Sequence, residues 1–203
     1  MDDSKKAIKQ IAYQLFKDHG YNNVSLKDIC AAAQISKTTF YYHFNSKEAL
    51  LEDFIEQPEP TSLDIVSVVF SMDSRWEQLW YLTYITIVEI MNAGPAIYKQ
   101  IIQSNIESNK GTFDLLNSRT VNVFVPIIKK GQETGEFKNK IPAESLIQMA
   151  WTAYLGLLTQ WCISDGEFNL AEREMQLFQD LYQVDENRRF TLESFIEKYH
   201  LIS

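Results

Sequence analysis

The residues best equipped for chemistry lie in one run near the start of this 203-residue chain, Ser36-Lys37-Thr38-Thr39-Phe40-Tyr41-Tyr42-His43-Phe44, with Lys47 just beyond it. Phe40 and Phe44 are one helical turn apart, so on a helix they share a face and leave the polar residues on the others. Ser36 is an N-cap candidate for that helix. Lys37, Thr38 and Thr39 then fill its first turn, where small polar and basic side chains let a helix end approach base edges in a major groove. The first-turn amides and the helix dipole favour phosphate. The hydroxyls of Tyr41 and Tyr42 and the ring N–H of His43 are suited to phosphate oxygens, and Lys47 adds a charge at the next helix start. This donor set suits a polyanion with readable edges, which points to double-stranded DNA.

The neighbouring segments supply the scaffold. Ser25-Leu26-Lys27-Asp28 has capping-box spacing, with Asp in the place of the usual Glu or Gln. It opens a short helix whose inner side is Leu26, Ile29, Cys30 and Ala33. Ala31 to Ser36 joins that helix to the next, so the pattern is helix, short turn, helix. Upstream, Ile8, Ile11, Ala12, Leu15 and Phe16 recur at helical spacing, and Gly20 is a C-terminal stop. Downstream, Ser46 is a further cap, followed by Glu48 in a first turn and then Leu50, Leu51, Phe54 and Ile55.

The run from Ser25 to Leu51, SLKDICAAAQISKTTFYYHFNSKEALL, resembles the signature of the TetR/AcrR family of transcriptional regulators. The likeness extends back to Ile8, Phe16 and Gly20, and Gly135-Glu136-Phe137 before a long apolar helix also fits. The resemblance implies an all-α fold, with a three-helix helix-turn-helix DNA-binding domain at the N-terminus and a helical ligand-binding and dimerisation domain after it. It implies that Lys37, Thr38 and Thr39 lie against bases and adjacent phosphates. Tyr41, Tyr42, His43 and Lys47 would contact phosphate, while Ser25 and Ser36 would cap the two helices beside the DNA backbone. A family homodimer would set two recognition helices about one helical turn apart on operator DNA. Two departures stand out. Gln34 occupies the turn position that normally carries Gly, and residues 1–47 contain no arginine, the usual bidentate reader of guanine.

The net charge of −8 hides an asymmetry. Residues 1–47 hold seven lysines against four aspartates, and the rest of the chain carries the acidic excess. A basic head on an acidic body permits a local nucleic-acid face. Catalysis finds no support: there is no GxSxG, P-loop, dinucleotide fingerprint or HExxH. Cys30 and Cys162 are far apart and lack ligand-spaced partners, so neither a metal nor a cofactor is expected. No apolar run reaches membrane-helix length and no signal core follows the charged N-terminus, so a cytoplasmic protein with no membrane partner is expected.

Gln57-Pro58-Glu59-Pro60-Thr61 is the best candidate break, and the expected domains are 1–47 and 48–203. Beyond it, the pattern predicts helices near 74–93, 96–107, 112–130, 142–164, 168–183 and 190–200. Pro126 is expected to kink the third of these, Gly131 to Phe137 to form a turn, and Pro142 to open the fourth. The helices at 74–93 and 142–164 are apolar on nearly every side, so others must surround them. Candidate residues for a small-molecule effector are Trp76, Trp80, Tyr84, Phe124, Trp151 and Tyr154, with Glu89 as a buried counter-charge. An aromatic stripe at helical spacing is more often plain core than a pocket. Trp151, Leu158, Trp161, Phe178 and Leu181 are the expected dimer seam. The function this supports is a sequence-specific regulator, a repressor released from operator DNA by a small hydrophobic or aromatic ligand. The same architecture also allows a DNA-binding protein with no inducer, acting architecturally or under a protein partner.

Overall fold

The computed structural model describes residues 3–55, 63–108 and 119–201, and among these the regular elements are helical. They are α1 (Asp3–His19), α2 (Leu26–Ala32), α3 (Lys37–His43), α4 (Lys47–Ile55), α5 (Leu63–Ser71), α6 (Arg75–Ala93), α7 (Pro95–Ser108), α8 (Arg119–Thr134), α9 (Ala143–Ile163), α10 (Leu170–Leu181) and α11 (Leu192–Tyr199). The described residues form two compact units, one drawn from 1–57 and 92–112, the other from 58–91 and 113–203. The Gln57–Thr61 break and the predicted helix start near 112 lie outside the described residues.

In the first unit, the spacing of apolar residues on α1 does what it predicts: Ile8, Ala12 and Phe16 are buried. Burying one such Phe contributes about 2 kcal/mol. Gly20, at φ 80, ends α1 and leads into a 3-10 turn at Tyr21–Asn23. Phe16 and Tyr21 meet edge to face at 4.9 Å, and the core continues through Val24, Ile29, Phe40, Phe44, Leu50 and Leu51. The helix α7 packs against α1, α4 and the 3-10 turn, with Ile97, Tyr98 and Ile101 buried. The Tyr13 hydroxyl donates to the Asn92 carbonyl just ahead of it.

In the second unit, α9 packs between α8 and α10. The helix α8 runs through Pro126 and on to Thr134, further than the sequence suggests, so Gly131 is helical rather than part of the turn. The reason is steric. The Phe137 ring folds back over Gly131, where a Cβ would stand 2.2 Å from Cδ2. The chain turns instead at Gly135, at φ 80, and one antiparallel bridge joins Phe137 to Val184. Pro142, at ψ 138, sits one residue earlier than expected, as the N-cap of α9 rather than its first helical residue. Both α9 and α10 close with paired 6→1 and 5→2 hydrogen bonds around a left-handed residue, Asp165 and Gln183.

Candidate nucleic-acid interface

The geometry of α2 and α3 follows from their caps. The Ser25 hydroxyl accepts from the Asp28 amide at 3.3 Å and donates to the Asp28 carboxylate at 2.5 Å, while the Ser25 amide donates to the same carboxylate at 2.8 Å. That closed capping box holds the Asp28 carboxyl below its usual range, chiefly through the Ser25 hydroxyl. Ser36 accepts from the Thr39 amide at 3.0 Å and lies 2.9 Å from the Thr39 hydroxyl, fixing the start of α3.

Between the two helices the Ile35 amide reaches the Cys30 carbonyl at 3.0 Å and the Gln34 amide reaches Ala31 at 3.2 Å. This is a Schellman closure with Gln34 at φ 54 in the left-handed region. The turn therefore forms without glycine. Phe40 is fully buried and Phe44 nearly so, their rings 5.5 Å apart, and they anchor α3 to the core.

The opposite face of α3 is open. Lys37, Thr38, Thr39, Tyr41 and Tyr42 are exposed, and Tyr42, at 81% exposure, projects almost entirely into solvent. His43 is half-buried against the edge of the Tyr42 ring, at 4.9 Å. Ser25 and Ser36 are exposed but their hydroxyls serve the helix starts.

Lys47 is placed differently from the rest of the set. Its Nζ donates to the carbonyls of Tyr21 and Val24, both at 2.9 Å, and lies 3.8 Å from the centre of the Tyr21 ring. Burial pulls its ammonium below the ordinary lysine range, against the opposing pull of Glu48. No local signal could have shown this, because the carbonyls it serves are over twenty residues upstream.

The effector candidates fall into separate groups. Trp76 and Trp80 are fully buried on α6 and Tyr84 nearly so. They pack beneath the C-terminal segment, with Trp76 5.6 Å from Phe190, and Trp80 and Tyr84 6.5 and 5.9 Å from Phe195. The indole N–H groups of Trp76 and Trp80 have no hydrogen-bond partner among the described residues. The Trp151 and Tyr154 rings of α9 meet at a tilt, 5.1 Å apart, and Phe124 is half-buried on α8. Glu89 lies at an exposed position of α6 rather than in the core, its carboxyl raised by partial desolvation.

Of the expected seam, Leu158 and Trp161 on α9 and Phe178 on α10 are buried within the single chain, where α9 packs against α8 and α10. Trp151 and Leu181 are half-buried. The face of α9 that stays open carries Met149, Thr152, Gly156, Gln160 and Ile163.

Two acidic residues with unusual surroundings went unseen in the sequence. One Glu136 carboxylate oxygen accepts from the Ser74 hydroxyl and the Arg75 amide, each at 2.8 Å, and from the Trp76 amide at 3.3 Å, so it caps α6 from sixty residues away. Glu174, on α10, is buried, and its Oε2 has no partner among the described residues.

A capped helix pair whose second helix keeps an open face, in a chain whose described regular elements are helical, is the arrangement of helix-turn-helix regulators. Residues 10–54 match the family model for bacterial regulatory proteins of the tetR family, and residues 85–183 match that for the C-terminal region of YsiA-like proteins. The chain belongs to the TetR family. The regulator UidR of Escherichia coli (strain K12) is 31% identical over 101 residues, which are 45% of this chain and 52% of UidR, so the chain spans about half the length of that curated relative. The repressor DhaR of Mycobacterium sp. (strain GP1) is 25% identical over 180 residues, covering 86% of this chain and 90% of DhaR. Among solved structures, the regulator FadR from Bacillus subtilis in complex with stearoyl-CoA has the same fold, with a TM-score of 0.64 at 19% identity over 87% of this chain and 97% of that one. No described helix is long and apolar enough to cross a membrane.

Proposed function

We propose that the chain is a non-enzymatic, sequence-specific regulator: a homodimeric repressor that grips operator DNA with α3 and lets go when an apolar effector binds among α6, α8 and α9. The observation that carries the DNA half is the split of α3, with Phe40 and Phe44 in the core and Lys37, Thr38, Thr39, Tyr41 and Tyr42 left exposed. Lys37 and the two threonines are the base-edge and adjacent-phosphate residues in this reading. Tyr41, Tyr42 and His43 bind phosphate, and Ser25 and Ser36 hold the helix ends that face the backbone. The DNA-binding part is 1–47, with the remainder as receptor and dimerisation part. The homodimer pairs the open α9 faces around Gly156, where nothing lies within 4 Å of an added Cβ.

The effector half rests on the apolar α6 and α9 and on the FadR structure with stearoyl-CoA. Tyr84, Phe124, Trp151 and Tyr154 are the proposed lining, with Glu89 at its rim. A long-chain acyl-CoA is therefore the first effector to test. Release requires only that the effector bind the DNA-free arrangement more tightly than the DNA-bound one.

The experiment is selection and sequencing of fragments of the chain's own genome bound by the purified protein, followed by addition of an acyl-CoA. One or a few palindromic sites, lost on adding the acyl-CoA, are expected. No enrichment by a folded, effector-free dimer overturns the DNA reading. Sites that persist whatever acyl-CoA is added overturn the proposed effector class and favour a regulator controlled by a protein partner. Lys37→Ala is expected to change which sites are selected more than it changes overall affinity.

A further inference from the structure

We propose that Lys47 is a positioning residue: one ammonium staples the chain entering the helix-turn-helix to the chain leaving it, and so sets how α3 is presented. Val24, whose carbonyl takes one of the Lys47 hydrogen bonds at 2.9 Å, is the residue immediately before Ser25, the cap of α2. Lys47 is itself the first residue of α4, four residues after α3 ends at His43. Everything from Ser25 to Ser46, including the recognition face, therefore hangs between the two points that this side chain ties together. The second bond, to the Tyr21 carbonyl at 2.9 Å, fixes the 3-10 turn that leads into Val24.

The surroundings make the staple stiff. The ammonium sits 3.8 Å from the Tyr21 ring centre, a cation–π distance, and that ring is held edge-on by Phe16 at 4.9 Å. The Tyr21 hydroxyl reaches Glu48, the next residue of α4, at 3.3 Å. Two residues of α4 thus grip one buried tyrosine of the preceding turn. Lys47 commits two of its three N–H donors internally, and desolvation of the ammonium shows in its lowered pKa. A lysine reaching out for phosphate keeps its head in water. Lys47 instead turns its ammonium back onto two backbone carbonyls.

The inference rests on the DNA-binding reading, and its test separates the two. Tyr21 is buried and has no access to DNA, so it reports positioning alone. Operator affinity is measured for Lys47→Met, Tyr21→Leu and the double variant on the palindromic site recovered by selection, across a salt series. Lys47→Met is expected to weaken binding about tenfold. Its loss should overlap that of Tyr21→Leu in the double variant, and the slope of affinity against salt should stay the same. Additive losses, with a salt slope shallower by about one unit for Lys47→Met, make Lys47 a phosphate ligand and overturn the proposal.

Should the variants fail to fold, the wild-type protein suffices. With the lysine ammonium groups labelled with nitrogen-15, the Lys47 signal is expected to be visible through slow hydrogen exchange without DNA, and to keep its position when the duplex is added. A Lys47 ammonium invisible until DNA binds overturns the staple. Failure of the wild type to select any DNA sinks the regulator reading instead and leaves the DNA-free arm of this test intact.

Discussion

Gln34 occupies the left-handed region at φ 54, where a Cβ costs about 1 kcal/mol, yet the Schellman hydrogen bonds around it are complete. The turn is thus held by its hydrogen bonds against the preference of its residue. Gln34→Gly is expected to raise stability by about 0.5–1 kcal/mol, read from chemical denaturation, with site preference unchanged. A loss of stability would mean that the Gln34 side chain itself braces the turn. Glu174 is the opposite case, a residue whose conformation is ordinary and whose surroundings are not. Its carboxyl is buried on α10 and desolvation raises its pKa well above the ordinary carboxyl value. A folded-state pKa above the unfolded one favours the protonated form in the fold. The stability linked to this group is therefore complete below the unfolded pKa and drains away as pH rises through the folded one. Glu174→Met removes the group at similar volume. The variant is expected to be more stable than the wild type by about 1–3 kcal/mol at neutral pH, with a gap that closes towards pH 4, followed by thermal unfolding across the pH range. A gap independent of pH would show that the carboxyl is not the cause.

The start of α6 is held by a residue of the α8–α9 connection. The Glu136 carboxylate accepts from the Ser74 hydroxyl and two first-turn amides, and it meets the positive end of the helix dipole. Glu136→Ala leaves those donors unpaired and is expected to cost about 2 kcal/mol in urea unfolding. A cost below about 0.5 kcal/mol would mean that water replaces the carboxylate freely. This contact also marks the limit of what the sequence tells. Helix starts and stops were legible because their causes are local: Ser25 and Ser36 cap amides three residues on, and Gly20 lies at the end of its own helix. The outward face of α3 was legible for the same reason, since Phe40 and Phe44 fix which side of that helix stays exposed. Periodicity names the buried face of a helix, however, and not the element that covers it. Trp76 and Trp80 were readable as buried, but nothing near them points to Phe190 and Phe195 more than a hundred residues away. Leu158 and Trp161 of α9 and Phe178 of α10 were assigned to a second copy, whereas the packing of α9 with α8 and α10 buries them within one chain. Gly131 read as a turn because glycine usually is one; only the Phe137 ring lying on it explains a helical glycine.

Charge is distributed unevenly along the chain. The first 47 residues carry a surplus of three positive charges, and the remainder of the chain is acidic enough to bring the total to −8. In the DNA-binding reading proposed above, a polyanion is favoured by the first 47 residues and disfavoured by the rest. The affinity that remains comes from counterion release, which has a ceiling set by composition. The head has seven lysines and no arginine, and Lys47 has two of its three donors engaged internally. At most six lysines per protomer can then neutralise phosphate. At about 0.9 counterions released per phosphate contact, a dimer cannot show a salt slope steeper than about −11, and a monomer about half that. The slope of log affinity against log salt therefore counts the heads on the DNA as well as the contacts. A value between the two limits requires both protomers to be engaged at once on the palindrome. A slope near zero would mean that the basic head is not the face that meets DNA, and one steeper than the dimer limit would require cations from outside residues 1–47.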